Sequence, residues 1–455
     1  MQIDSDLIAK YNQPVPRYTS YPTVPFWKEK IEVGAWTAAL REQVRIHNAE
    51  EGISLYIHLP FCESLCTYCG CNKRITHDHK VERDYLDAIK KEWDQYLSLM
   101  PAPPLVRELH LGGGTPTFFS PENLRELISY ILASSIVHPE REFSIEGHPN
   151  NTTMKHLTTL YDLGFRRISY GVQDNDPTVQ KVINRIQPVK NVKRTTDDAR
   201  EVGFSSVNYD LIYGLPLQTL EGMTRTMEQV LELRPDRIAF YSYAHVPWTS
   251  RGQRLFDEND LPGADLKLQL YLTGKKMLTK AGYTDIGMDH FALQEDDLYK
   301  AWKEGTLHRN FMGYTTQKTA MLIGLGVSSI SDIGTAFAQN EKNLLDYYKL
   351  VGKGILPIQK GYFLTDEDVS FRDYILDISC RNATCFKSDD MALLEKVTFP
   401  ELDKLENDNL ITRDADKLVL TETGKHFLRN VCRAFDLHLL RNQAMEQKTT
   451  FSKAI

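Results

Sequence analysis

Short runs of branched and aromatic residues alternate along this chain with longer amphipathic stretches. Runs at 53–58, 108–111, 142–146, 167–173, 207–213 and 237–243 predict strands. Helical periodicity fills the intervals at 80–100, 121–133, 153–163, 188–202, 222–233 and 264–281. Ser120 ahead of Pro121-Glu122, and Thr219 ahead of Leu220-Glu221, supply capping residues where two of these helices should begin. Six strand–helix units in succession imply a parallel sheet and an α/β fold, a partial (β/α)6 barrel. Two regions break the rhythm. Pro14, Pro16, Pro22 and Pro25 stand among aromatics near the start, which predicts an irregular arm. From about Gly361 the pattern turns helical at 365–380, 399–407 and 422–440, with a hairpin at 410–413 and 417–420. Helices plus a hairpin predict a winged-helix-like unit. The expected division is an arm at 1–35, a barrel at 36–350 and a mainly helical C-terminal unit at 351–455.

Charge and composition narrow the function classes. The 455 residues are 42% hydrophobic and 25% charged, with a formal net charge of −7. That balance argues against a nucleic-acid partner held by bulk electrostatics. The apolar run at 320–327 is too short for a membrane span. The first ten residues carry two aspartates and lack a basic-then-apolar leader pattern, so a cytoplasmic protein is expected.

Seven cysteines in such a chain do not make a disulfide framework, and four of them crowd together at 62, 66, 69 and 71. In the run from Tyr56 to Cys71, Cys62, Cys66 and Cys69 follow the spacing C-x3-C-x2-C. Three thiolates can hold three irons of a [4Fe–4S] cubane and leave the fourth iron open for a ligand's amine and carboxylate. Structural zinc is the rival on spacing alone, although zinc favours separated cysteine pairs or histidine partners. Ligands of β/α folds collect at the carboxyl ends of the strands. Tyr56, Gly112–Thr115, Glu146, Gln173, Asp210 and Ala244 are all expected there. Gly112, Gly113 and Gly114 would let bare backbone approach a ligand, without the spacing of a phosphate-binding loop. Glu146 and Asp210 could accept from an ammonium or from ribose hydroxyls, and Arg185 could grip a carboxylate. His58 reads as loop support, and Cys380, Cys385 and Cys432 as packing groups.

The cysteine spacing, with Tyr68 before the last cysteine, resembles the radical S-adenosylmethionine signature. Longer segments are similar to the oxygen-independent coproporphyrinogen III oxidases: 16–23 from Pro16 to Thr23, 69–73 from Cys69 to Lys73, and 112–117 from Gly112 to Thr117. So are 210–216, 287–291 and 308–316. This resemblance implies oxidative decarboxylation of two propionates of coproporphyrinogen III to vinyls, giving protoporphyrinogen IX. A cluster electron would cleave S-adenosylmethionine, and the 5′-deoxyadenosyl radical would take a propionate β-hydrogen. It implies one or two bound S-adenosylmethionines, a low-potential donor such as flavodoxin or ferredoxin, and a monomer without membrane or nucleic-acid partners. By the same resemblance, Gly113, Gly114 and Thr115 hold the methionine portion, Tyr68 stacks on adenine, and Gln173, Ala244 and Ile330 join the cofactor site. Tyr56 and Cys71 take catalytic places, Cys71 near a second cofactor, with a buried loop thiol as its plain alternative. Arg17, Lys73, Arg74, His308 and Arg309 are the cations expected near the propionates. The chain departs from the pattern at His148 and Asn150, which flank Pro149 where aspartate and arginine are usual, and at Met312, where some members carry glutamine. The nearest rival is the haem-trafficking paralogue on the same barrel, which typically lacks the segment at 17–22 and the extension at 70–72, both present here. From its prolines and aromatics, the arm is expected to close the barrel mouth over substrate.

Overall fold

The computed structural model describes residues 5–28, 30–248, 250–442 and 451. Its centre is a twelve-stranded sheet. In chain order the strands are β1 (Ile53–Leu59), β2 (Leu105–Gly113), β3 (Ile136–Gly147), β4 (Arg167–Gln173), β5 (Ser206–Tyr213) and β6 (Arg237–Ser242). They continue as β7 (Thr284–Gly287), β8 (His290–Ala292), β9 (Met321–Leu325), β10 (Ile330–Asp332), β11 (Ala336–Asn340) and β12 (Ile358–Phe363). The spatial order is β12-β11-β10-β9-β1-β2-β3-β4-β5-β6-β8-β7. From β1 to β6 every neighbour is parallel, with helices between, which is the six-unit partial barrel expected from the sequence. Six of the seven β1 residues are buried, so a near-continuous apolar run, not alternation, marks a strand covered on both faces.

Local chemistry sets the helix limits. Ser120 accepts a hydrogen bond from the Asn123 amide at 3.2 Å, with Pro121 opening Pro121–Ala133. Thr219 does the same for Leu220–Leu233, accepting from the Gly222 amide at 3.0 Å. Gly203, at φ +109°, ends Val189–Val202 in a left-handed turn open to glycine.

The strands on either side of this parallel set were not expected. β9 adds to β1 in parallel, and β10, β11 and β12 follow antiparallel. At the other edge β8 and β7 are antiparallel as well. The run at 320–327, too short for a membrane, is the buried strand β9. Since β12 is hydrogen-bonded into this sheet, and the helix Leu344–Gly352 spans residue 350, the barrel continues past the expected boundary. The helix Val33–His47 likewise crosses the expected end of the arm.

After β12 come the helices Asp366–Arg381 and Phe399–Asn407 and the expected hairpin, Ile411–Arg413 against Lys417–Leu420. Ala383–Cys385 completes a three-stranded antiparallel sheet. The single helix expected at 422–440 is instead three short pieces, Gly424–Phe427, Leu428–Arg433 and Leu437–Arg441. The arm also differs from expectation. It holds a helix at Ser5–Tyr11, and Ile8, Tyr11, Val15, Tyr18 and Tyr21 are buried among Phe371, Tyr374, Leu418 and Phe435 of the C-terminal unit. Its aromatics therefore complete that unit's core, and Arg17 reaches the barrel, donating to the Ser242 carbonyl at 2.7 Å.

A layer of charge lies inside the barrel near the amino ends of its strands. Arg237 meets Asp296 at 2.6 Å with both side chains buried, and Arg167 meets Glu142 at 2.8 Å. Glu108 accepts from the Ser54 and Thr315 hydroxyls, each at 2.7 Å. Burial would raise Glu142, but the Arg167 and Arg237 charges outweigh it and hold the carboxyl at about 2. Glu108 lacks such a cation in contact, and burial, with Glu142 adding to it, pushes it up to about 7.

Candidate active site

The cysteine loop leaves β1 and is tied down along its length. Phe61–Cys62 pairs with Arg74–Ile75, closing the loop on itself. The Asn184 side chain donates to the Leu65 carbonyl at 2.8 Å, and the Thr67 amide to the Ile183 carbonyl at 3.0 Å. From the far side, Gln253 donates to the Tyr68 carbonyl at 3.1 Å. Ser250 and Lys73 both donate to the Cys69 carbonyl, at 3.0 and 2.9 Å. Asn184, Ile183, Ser250 and Gln253 come from distant stretches of chain, so the loop's shape is set in large part by the fold around it.

The sulfurs sit in distinct settings. Thr115 donates to Cys62 at 3.2 Å, yet burial dominates and pushes that thiol up to about 11. A hydrogen bond with Cys71 leaves the shared proton on Cys71 and draws Cys69 down to about 6, despite burial and with help from Lys73. Arg185 donates to Cys66 at 3.7 Å and to the Gly171 carbonyl at 2.6 Å. Its Nε is buried without an acceptor among the described residues.

Opposite the cysteines stand two carboxylates. Glu146, next to last in β3, accepts from the Gly113 amide at 3.2 Å and faces His110 at 3.5 Å. A side chain at Gly112 would come within 3.0 Å of the Glu146 carboxyl and the Tyr56 ring, and one at Gly114 within 2.5 Å of the Pro60 carbonyl and 3.0 Å of the Cys62 sulfur. Only glycine lets β2 pass this close to the cysteine loop. Asp210 accepts from Ser169 and from Asn208, each at 2.9 Å. Burial, then the Glu146 charge, lifts it to about 6.

One cavity of about 480 Å³ gathers Cys62, Cys66, Tyr68, Cys69, Cys71, Gly113, Gly114, Thr115, Glu146, Gln173, Arg185 and Asp210. Cys71 is exposed. Tyr56, Gly112, Ala244 and Ile330 do not line this cavity, and of the cations expected near the propionates only Lys73 does. Tyr56 is the fourth residue of β1, not its end; it stacks on His110 at 5.9 Å and bonds His58 at 3.1 Å. Ala244 follows β6, its carbonyl accepting from Gln253 at 3.1 Å. Ile330 lies two strands from Tyr56, on β10. Asp210, too, sits within β5 and not at its end. Both Tyr56 and Asp210 are interior to their expected strands as well, 53–58 and 207–213, so the error lies in assigning interior positions to strand ends and not in the strand limits. Sequence reasoning missed Ser169, Asn208, Tyr241, Ser250 and Gln253. The first three share inward-facing strand positions, a signal that was available; the last two lie in an irregular stretch with no pattern to read.

The donor set fits an iron–sulfur cluster with an organic ligand. Among the described residues no three His, Cys, Asp or Glu side chains are gathered around one point as a single metal ion requires. A tetrahedral zinc would draw its thiolates to within roughly 4 Å of one another, given Zn–S bonds of about 2.3 Å. A cubane takes each thiolate on a separate iron and so accepts a wider spread. The buried, unpartnered Arg185 Nε offers a donor to an anionic group, and the glycine-lined wall leaves backbone bare beside it.

A parallel β/α sheet with a C-x3-C-x2-C loop leaving its first strand defines a radical S-adenosylmethionine protein, and residues 56–230 match the Radical SAM superfamily. That superfamily implies S-adenosylmethionine and a [4Fe–4S] cluster. Among curated proteins, the oxygen-independent coproporphyrinogen III oxidase of Pseudomonas aeruginosa is 38% identical over 444 residues, 96% of either chain. The protein of the same name from Helicobacter pylori is 39% identical over 461 residues, covering 98% of this chain and 99% of that one. The solved structure of the Escherichia coli coproporphyrinogen III oxidase, a radical SAM enzyme, superposes with a TM-score of 0.89 at 38% identity, over 96% of this chain and 100% of that one. The chain belongs to the oxygen-independent coproporphyrinogen III oxidase family of radical SAM oxidoreductases.

Proposed function

We propose that this protein converts coproporphyrinogen III to protoporphyrinogen IX by oxygen-independent oxidative decarboxylation of two propionates to vinyls. The observation that carries this reading is a single cavity collecting three cysteines at C-x3-C-x2-C with Glu146, Asp210 and Arg185, in a chain 38–39% identical end to end to oxidases of that name. Cys62, Cys66 and Cys69 are the residues to hold the [4Fe–4S] cluster. When bound, the cluster and S-adenosylmethionine supply one-electron chemistry able to take a hydrogen atom from an unactivated carbon.

The protein's own groups bind and orient. Glu146 accepts from the cofactor's ammonium, and the free Nε of Arg185 donates to its carboxylate. Asp210, ionised above about pH 6, accepts from ribose hydroxyls. The backbone at Gly113, Gly114 and Thr115 lies along the methionine portion, Tyr68 under the adenine, with Gln173 and the Ala244 carbonyl completing the site. Tyr56 backs the wall beneath Glu146. Cys71, exposed beside the cysteine loop, and Ile330 are kept as the residues for a second S-adenosylmethionine where one binds, so the proposed stoichiometry is one or two. A low-potential carrier such as flavodoxin or ferredoxin supplies electrons, and the enzyme acts as a cytoplasmic monomer without nucleic acid or membrane. Seven free cysteines among the described residues suit a reducing compartment. Among the described residues no helix is long and apolar enough to cross a membrane. We place the functional units at an arm through Glu32, a barrel through Phe363 and a C-terminal unit beyond it.

The test is an anaerobic assay with coproporphyrinogen III, S-adenosylmethionine and a low-potential reductant, read as protoporphyrin after oxidation. Product formation is expected. A protein that binds haem tightly and never consumes coproporphyrinogen would place it with the haem-trafficking paralogues instead.

A further inference from the structure

Arginines crowd the barrel interior behind Tyr241. Arg309, Arg237, Arg167 and Arg17 all bear on the His290 imidazole, which burial first and then these charges hold at about 3. Three of the four have a carboxylate in contact: Arg17 with Asp289 at 3.3 Å, Arg167 with Glu142 at 2.8 Å, Arg237 with Asp296 at 2.6 Å. Arg309 has none among the described residues. It is 7% exposed, and its guanidinium lies 4.9 Å over the Tyr314 ring. Nη2 donates to the Arg17 carbonyl at 3.3 Å, while Nε and Nη1 are buried without an acceptor. His290 packs edge-on against the same Tyr314 ring at 5.1 Å and against Tyr241 at 5.7 Å, and its buried Nδ1 is also unpartnered. Tyr241 in turn lines the cavity of the cysteines.

A guanidinium cannot shed its proton, and an uncompensated one in the interior is among the most costly groups a fold can carry. A barrel that neutralises three neighbouring arginines and leaves the fourth bare has kept a place for an anion from outside. We propose that Arg309 and His290 form a carboxylate subsite, filled by one propionate of the porphyrinogen. This assignment rests on the oxidase reading and extends it to substrate orientation. The Tyr314 face fixes the plane of the guanidinium, and the bond to the Arg17 carbonyl ties the subsite to the arm. Tyr241 stands between this subsite and the cysteine loop. The anchored propionate is therefore one that stays on the macrocycle, while another is presented to the cavity.

Arg309→Met keeps the length of the side chain and removes its charge and donors; Arg309→Lys keeps the charge and loses the fork. Binding of coproporphyrin III, the oxidised tetra-acid, and of its uncharged tetramethyl ester would be followed by fluorescence. Arg309→Met is expected to weaken the tetra-acid roughly ten- to a hundredfold and to leave the ester and S-adenosylmethionine unaffected. Arg309→Lys should recover part of the loss. Melting of the ligand-free protein should be unchanged or higher in Arg309→Met, since a bare buried charge has gone. Undiminished binding of the tetra-acid would overturn the proposal. So would a lower melting point with equal losses for acid and ester, the mark of a structural arginine. Should Arg309→Met fail to fold, His290→Gln carries the comparison, with a loss of a few fold for the tetra-acid alone as the supporting result and none as the refuting one. A wild-type protein that prefers the acid yet yields no protoporphyrinogen would refute the oxidase reading and leave the subsite standing.

Discussion

The barrel carries two polar layers, and they differ in how completely their charges are satisfied. Near the amino ends of the strands, Arg237 with Asp296 and Arg167 with Glu142 are paired, and Glu108 is capped by two hydroxyls. Near the carboxyl ends, the half-exposed Glu146 has one backbone donor and one histidine, and Arg185 keeps a buried Nε without an acceptor, while Asp210, with two side-chain donors, is held much as Glu108 is. The ion pairs of the lower layer are closed, with Arg309 and His290 beside them as the exception, and the upper layer is open at Glu146 and Arg185. A polar group whose partners all lie within the chain does structural work, whereas one left short in the same dielectric is waiting for a ligand.

The sharpest way to break this contrast is at the cysteines. Replacing Cys62, Cys66 or Cys69 with serine should abolish cluster iron, because a hydroxyl is a far poorer iron ligand than a thiolate. Cys71→Ser should keep iron and sulfide near wild type after anaerobic reconstitution. If Cys71→Ser loses iron as fully as Cys66→Ser, the site takes four cysteines and is not open.

In the lower layer, Arg237→Met should cost about 3–5 kcal/mol of stability in denaturant unfolding, because it strands the buried Asp296 charge. Where the variant is folded, its S-adenosylmethionine affinity should match wild type. A stability change under about 1 kcal/mol would mean that the lower layer is not the structural one.

Glu146→Gln asks the converse question of the upper layer. Loss of a charge-assisted bond, about 1.5–3 kcal/mol, should weaken S-adenosylmethionine roughly ten- to a hundredfold by calorimetry, with unfolding unaltered. Unchanged affinity would return Glu146 to a structural role.

The smallest expected effect is a pH slope. Folded Glu108 keeps its proton up to about pH 7, whereas the unfolded chain releases it near 4.5. Between those values the folded state binds more protons, so stability falls as pH rises. Glu108→Gln should make the fall in urea midpoint between pH 5 and 8 shallower. A residual slope is expected from Glu92, which burial also lifts to about 7. An unchanged slope would clear Glu108.

This contrast also explains what could be read from the sequence. The parallel strands and their helices carried long periodic signals, and Pro121–Ala133 and Phe399–Asn407 fall on their expected limits. The cysteine spacing marked its loop without help from the fold. β10 and β8 have three residues each, too few to show a period, and the helix expected at 422–440 is broken twice. The arm's aromatics announced packing but not its partner, and burial against the C-terminal unit depends on contacts some 400 residues apart, such as Tyr18 to Asp436, a separation of 418. Ser250 and Gln253 support the cysteine loop through side chains on an irregular stretch, where no spacing rule applies.

The ties that hold the cysteine loop also say which residues govern its shape. Asn184, Ile183, Gln253, Ser250 and Lys73 hold its backbone, and all but Lys73 come from distant stretches of chain. Each tie fixes part of a backbone that would otherwise be free to rearrange. A substitution at Asn184 or Gln253 therefore reaches the cysteines without altering a sulfur, and two residues with no redox chemistry of their own hold a share in the geometry of the site.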